Sequence, residues 1–167
     1  MERIKKDKVI GKDLNGNRVE LKVKDLIFRP SVYGILIEGS KILLSPQWDG
    51  YDFPGGGIDI DEKIDEALER EFYEETGLRV KRKEVIACEQ SFFFAKWRKE
   101  KWNNIVIYYL CKKTGGKLSI KNFDEHEKQY AKLAEWIDIT DIEKIKFYNP
   151  VDSVAIIKKA FEMKKKI

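Results

Sequence analysis

Glu71, Glu74 and Glu75 crowd one part of a stretch whose apolar residues Ile64, Ala67, Leu68 and Phe72 recur at helical spacing. At about 100° per residue, Glu71 and Glu75 project from the middle of that apolar face and Glu74 from its edge. Like charges four residues apart repel, and a carboxylate facing a core without a partner is costly. A divalent cation held by oxygen ligands removes both objections. The predicted helix begins near Asp61 or Glu62 and ends at Gly77, where a glycine can take the left-handed C-cap conformation. From Asp59 to Glu75, nine acids (Asp59, Asp61, Glu62, Asp65, Glu66, Glu69, Glu71, Glu74, Glu75) face only Lys63 and Arg70, so this segment carries −7. With the whole chain at +4, the remainder carries +11. A solvated charged helix accounts for Asp65, Glu66 and Glu69, but not for acids on the apolar stripe.

The elements that must position these glutamates are legible on either side. At 167 residues the chain is expected to form one domain with a real core. The segment Met1 to Gly11 has no apolar signal region, and no later stretch approaches a membrane span. Cys88 and Cys111 lie in apolar, strand-like runs without metal-ligand spacing, so two buried free thiols in a reducing cytoplasm are expected. Val9-Ile10 and Val19-Leu21 flank an Asn15-Gly16 turn and predict an N-terminal hairpin. Ser31–Ile37 and Lys41–Ser45 predict a second hairpin, followed by an irregular loop through Pro46 to Gly55. Beyond the helix, Val85–Ala95 and Ile105–Leu110 read as long paired strands, Lys117–Ile120 as a short strand and Glu135–Ile139 as another. Thr140 is placed to cap a short helix over Asp141–Ile145, and Val154, Ile157, Ala160 and Phe161 give a terminal helix its apolar face.

Gly56 to Leu78, GGIDIDEKIDEALEREFYEETGL, resembles the signature of the Nudix (MutT-like) hydrolases, G-x5-E-x7-R-E-U-x-E-E-x-G-U with U a bulky apolar residue. Every fixed position is filled: Gly56, Glu62, Arg70, Glu71, Phe72, Glu74, Glu75, Gly77 and Leu78. The rest of the chain agrees with that family in element order only. The resemblance implies an α/β fold of the α+β type, a Nudix-like α/β/α sandwich with a mixed β-sheet, over residues 30–167. An N-terminal β-hairpin extension, 1–29, precedes it and resembles the extra strands some members use for homodimer contacts; covering a sheet edge is the other reading of it.

The resemblance further implies a cytoplasmic pyrophosphatase that uses Mg²⁺ or Mn²⁺ on Glu71, Glu74 and Glu75. The Gly55 carbonyl is then a further ligand and Glu62 an outer one through water. Glu71 or a loop acid such as Glu127 takes a proton from the attacking water, with Glu125 and Glu135 as other candidates, and Arg70 orients the glutamates by ion pairing. Trp48 and Tyr51 are candidates to stack on a base, and Lys96 and Arg98 to hold phosphate. Asn149 either reads a purine edge or marks helix entry. The expected substrate is a small nucleotide, with a nucleoside triphosphate, canonical, oxidised or otherwise noncanonical, ahead of ADP-ribose or a sugar nucleotide. ADP-ribose members usually carry a proline downstream, and none occurs here between Pro54 and Pro150. RNA 5′ ends are the one nucleic-acid partner considered, a membrane is not expected, and a nucleotide sensor without catalysis is the reading of another class.

Overall fold

The computed structural model describes residues 6–123, 125, 128, 131–149 and 151–166. Its strands are β1 (Lys8–Asp13), β2 (Arg18–Lys22), β3 (Leu26–Glu38), β4 (Lys41–Gln47), β5 (Gly50–Asp52), β6 (Gly55–Gly57), β7 (Leu78–Ala95), β8 (Glu100–Gly116) and β9 (Glu135–Asp138). Two α-helices, α1 (Ile64–Thr76) and α2 (Ser153–Lys164), complete the fold. The strands form one mixed sheet in the order β2-β1-β7-β8-β3-β4-β5, with β6 added to β3 and β9 to β4. Two pairings in it are parallel, β3 with β8 over Leu26–Leu36 and β1 with β7 at Lys12 and Asp13.

Alternation along the central strands sends side chains to two cores. Ile35 and Ile37 of β3, Ile42 and Leu44 of β4, and Tyr108 and Leu110 of β8 pack with Ile156, Ile157, Ala160 and Phe161 of α2. Their neighbours Leu36, Leu43 and Tyr109 point the other way, onto Ala67, Leu68 and Phe72 of α1. A sheet covered on both faces needs near-continuous apolar strands, which is how Val32–Ile37 and Ile42–Leu44 read. The expected sandwich of helices about a mixed sheet is what forms. The packing of α1 is close: a β-carbon on Gly34 would lie 2.7 Å from Phe72 Cδ2, so the glycine lets the fully buried ring settle on β3.

Several local expectations are corrected. Helix α1 starts at Ile64 rather than at Asp61 or Glu62, because the Glu62 carboxylate accepts the Asp59 N–H at 3.1 Å and closes a turn ahead of the helix. Glu66 then accepts the Lys63 N–H at 2.8 Å. The far end is as expected, with Gly77 at φ 74° and its N–H on the Tyr73 carbonyl. Strand β3 begins five residues before Ser31, and Lys117–Ile120 forms no strand. Over 141–145 only a 3-10 turn forms, at Ile142–Lys144, and Asp138 rather than Thr140 organises it by accepting the Thr140 N–H and hydroxyl. Cys111 is buried, but Cys88 is exposed, because register shifts between Arg82 and Ala87 turn Ile86 inward. No helix among the described residues is long and apolar enough to cross a membrane.

Candidate active site

The signature residues converge where α1 passes over the β6 glycines. Glu71 sits directly on Gly56, while Glu75 accepts the Ser45 hydroxyl at 3.0 Å and the Gly55 N–H at 3.4 Å. Gly55 lies at φ 147°, and a β-carbon there would come within 2.3 Å of the Val32 carbonyl oxygen, so only glycine brings this backbone so near β3. Arg70 binds the acids into one network. Its Nε and Nη2 meet the two Glu62 oxygens at 2.6 and 2.8 Å, and its Nη1 lies 3.0 Å from Glu71 and 3.2 Å from Glu74. Nη2 also donates to the Gly57 carbonyl at 3.2 Å.

This network divides the acids electrostatically. The Arg70 guanidinium holds the Glu62 carboxyl below its ordinary range. Burial pushes the Glu71 carboxyl up, only partly offset by Arg70, which makes it readier to accept a proton than an ordinary glutamate. The donor set of carboxylates and a backbone carbonyl suits a hard divalent cation. Among the described residues, however, no three of these acids already stand together as a chelating group.

A cavity of about 350 Å³ opens over these acids. Glu71, Glu74, Glu75 and Arg70 line one end, and Trp48, Phe93, Trp97, Trp102 and Tyr148 the other. Trp48 stands between Trp97 and Tyr148, with ring centroids 5.7 and 5.1 Å away, and takes a left-handed φ of 50°. Arg98 and Asn149 also line the cavity. Asn149 does not cap α2, a task that falls to Asp152. Its Nδ2 instead donates to Asp52 Oδ1 at 2.8 Å and its Oδ1 accepts the Ser153 hydroxyl at 2.6 Å.

Other candidates lie elsewhere. The Tyr51 hydroxyl donates to Glu135 at 3.0 Å, and neither residue lines the cavity. Lys96 turns from the cavity to Asp13, at 2.6 Å. Glu125 is exposed and pairs with Lys128. Glu127 falls outside the described residues, as do Asp124 and His126.

Arg29, Tyr33 and Asp52 are among the cavity residues that were not anticipated. Arg29, on β3, donates from Nη1 to Ser31 Oγ at 2.8 Å, and Ser31 passes the bond to Asn104 at 2.9 Å. The guanidinium lies 4.4 Å from the Trp102 ring centre, and among the described residues no carboxylate is within ion-pair distance of it. Tyr33 stacks on Tyr108 at 5.7 Å, and burial raises its phenol above the ordinary range. Asp52 is buried at the cavity floor, and that burial raises its carboxyl to about 6. No local sequence signal marks them; Asp52, for one, is turned inward by the pairing of β4 with β5 that sets it opposite Ser45.

Known proteins resemble this chain in sequence and in fold. The NUDIX domain family matches residues 27–156, and the chain belongs to the Nudix family. It is 32% identical to an ADP-ribose pyrophosphatase of Methanocaldococcus jannaschii over 135 residues, 77% of this chain and 73% of that one. It is 45% identical over 74 residues, 42% of this chain, to a putative 8-oxo-dGTP diphosphatase of Bacillus subtilis, and 41% identical over 69, 39% of this chain, to an RNA pyrophosphohydrolase of Teredinibacter turnerae. Those two matches span under half of either relative, 47% and 40% of its length. In fold the chain resembles an ADP-ribose pyrophosphatase of Streptococcus suis, with a TM-score of 0.62, 19% identity and coverage of 82% of this chain and 92% of that one.

Proposed function

We propose that the protein is a divalent-cation-dependent pyrophosphohydrolase acting on a nucleoside-diphosphate-linked compound. The leading substrate is a nucleoside triphosphate, unmodified or oxidised, cleaved by water to nucleoside monophosphate and pyrophosphate. One observation carries this reading: a single cavity is lined by the α1 carboxylates, by an arginine that has no carboxylate partner among the described residues, and by an aromatic cluster. The volume of about 350 Å³ lies toward the small end of ligand pockets, as one nucleoside with its phosphates requires.

Glu71, Glu74, Glu75 and the Gly55 carbonyl would hold Mg²⁺ or Mn²⁺, with Glu62 as an outer partner. Such a cation neutralises phosphate charge and makes a bound water more acidic. The chain's own groups do the rest. Arg29 offers its remaining N–H groups to phosphate oxygens, and Arg98 adds positive charge at the nucleoside end. Glu71, raised by burial, accepts the proton of the attacking water. Arg70 keeps three glutamates oriented without occupying the substrate's place. Asn149 and Asp52 present a donor and an acceptor to the edge of a base.

ADP-ribose cleavage is the second reading, favoured by the relative from M. jannaschii, which aligns over most of both chains. A phosphate-release screen coupled to pyrophosphatase or phosphatase, with each metal, separates the readings. Its panel holds nucleoside triphosphates, oxidised forms, ADP-ribose, sugar nucleotides, dinucleoside polyphosphates and a 5′-triphosphate RNA. A nucleoside triphosphate is expected to be turned over fastest. Silence across the panel with folded protein would overturn the hydrolase reading in favour of a nucleotide sensor.

A further inference from the structure

Asp13 closes β1 and is only 3% exposed. Its Oδ1 accepts the N–H groups of Asn15 at 2.9 Å and Asn17 at 3.0 Å. Its Oδ2 accepts Asn17 Nδ2 at 3.2 Å and Lys96 Nζ at 2.6 Å. Three of these bonds close the hairpin turn, and the fourth joins residues 83 apart in sequence, at the tip of the β7–β8 hairpin. The Lys96 ammonium holds the Asp13 carboxyl down at about 2, so this carboxyl stays ionised at any pH near neutral.

The strands around this bond are tightly set. Lys12 and Asp13 pair with Phe93 and Phe94, and a β-carbon on Gly11 would lie 2.6 Å from the Phe92 carbonyl oxygen. Leu14 packs on the cluster of Phe93, Ala95 and Trp102 and lines the cavity itself. On its other side the same turn borders a cleft against Lys146–Asn149, which includes Tyr148 of the opposite cavity wall. The hairpin thus packs on one wall of the aromatic end and faces the other across a cleft. Lys96 is drawn out to Asp13, whereas the next two residues, Trp97 and Arg98, line the cavity.

We propose that the N-terminal hairpin is a wall of the nucleoside site, in which Asp13, by gripping Lys96, is a positioning residue for Trp97 and Arg98. This rests on the proposed function for the nature of the ligand, and on the geometry alone for the tie. A hairpin tip is ordinarily among the more mobile parts of a fold. Fixing it before binding lowers the ordering cost that binding must otherwise meet, so loosening it weakens affinity more than turnover.

The test is a double-mutant cycle of Asp13→Asn, Lys96→Met and the pair together, with Lys96→Arg as the conservative variant. Asparagine keeps an Oδ1 for both turn N–H groups, so the hairpin is retained, which thermal unfolding checks. Binding of GMP and AMP is read by tryptophan fluorescence without metal, and KM and kcat are read on the best nucleoside triphosphate. Each single change should raise Kd and KM about tenfold and kcat should fall less than about threefold, with the double no worse than either. Lys96→Arg should restore affinity. Losses that add in the double variant would overturn the proposal in favour of Lys96 touching the ligand itself. Unchanged affinity in both single variants, or no binding of either monophosphate by the unaltered protein, would overturn it as well. Monophosphate binding without hydrolysis of any compound would sink the hydrolase reading and still decide the tie.

Discussion

The Glu71 carboxylate occupies the space a side chain at Gly56 would need: a β-carbon there would lie 2.6 Å from Glu71 Cδ and from both its oxygens. Backbone strain does not enter, because Gly56 has an ordinary φ, and what must move is the end of a flexible side chain. Gly56→Ala should therefore fold with a stability within about 1 kcal/mol of the parent, while kcat falls by about a hundredfold as Glu71 is displaced. Gly55→Ala should behave oppositely. Its φ of 147° and the 2.3 Å approach to the Val32 backbone place the cost in folding itself. Urea unfolding beside steady-state rates distinguishes the two, and a Gly56→Ala protein with full activity would break the link between this contact and catalysis.

Arg70 is the sole cation the structure shows within reach of Glu62, Glu71 and Glu74 together. Lysine at this position keeps one charge but cannot hold both Glu62 oxygens and reach two further acids at once. Arg70→Lys is expected to cost about 1 kcal/mol in stability, since the group is partly exposed, and to lower kcat about tenfold or more with a smaller change in KM. Titrating activity with Mn²⁺ checks the cause. Disordered glutamates should shift the metal dependence to higher concentration, whereas an unchanged metal curve would mean that Arg70 does not organise them.

The signature helix, its apolar face and the acids upon it were readable because all lie within one local 3.6-residue pattern. The two-faced sheet was readable for a similar reason, from continuous apolar runs. What escaped depends on contacts distant in sequence. The parallel pairings of β1 with β7 and β3 with β8 leave no local trace, yet they bring Leu14 and Arg29 to the cavity. Lys96 read as a phosphate binder because its sequence neighbours are basic and aromatic, but its partner lies in the first hairpin. Cys88 read as buried from the apolar run around it, but the register of β7 shifts nearby and the thiol is exposed.

Arg29 combines a fixed orientation with a guanidinium that, among the described residues, has no carboxylate within ion-pair distance. Ser31, itself donating to Asn104, accepts from one nitrogen, and Trp102 supports the group. A guanidinium so placed costs little further entropy on meeting a phosphate. Arg29→Met should raise KM for the preferred substrate about tenfold or more, by roughly 1.5 to 3 kcal/mol for a charge-assisted bond. Ser31→Ala should give a milder loss in the same direction by releasing the anchor. Equal KM values in parent and Arg29→Met would remove Arg29 from the substrate contacts.

Asp52 should give folding stability an unusual pH dependence. Its carboxyl is raised from 3.8 to about 6, chiefly by burial, against which the Asn149 and Phe53 hydrogen bonds work. Between these values the folded protein keeps a proton that the unfolded chain releases. Stability from this group is therefore fully present below about pH 4 and is lost as pH rises through 6, the reverse of a carboxylate held by a cation. The full shift corresponds to about 3 kcal/mol as an upper figure. Asp52→Asn carries no such charge and keeps an oxygen for Phe53 and Asn149. Its melting temperature should exceed the parent's at pH 7.5, and the difference should shrink as pH falls to 4. Differential scanning calorimetry across that range checks it, and a constant difference between the two proteins would show that Asp52 does not titrate there.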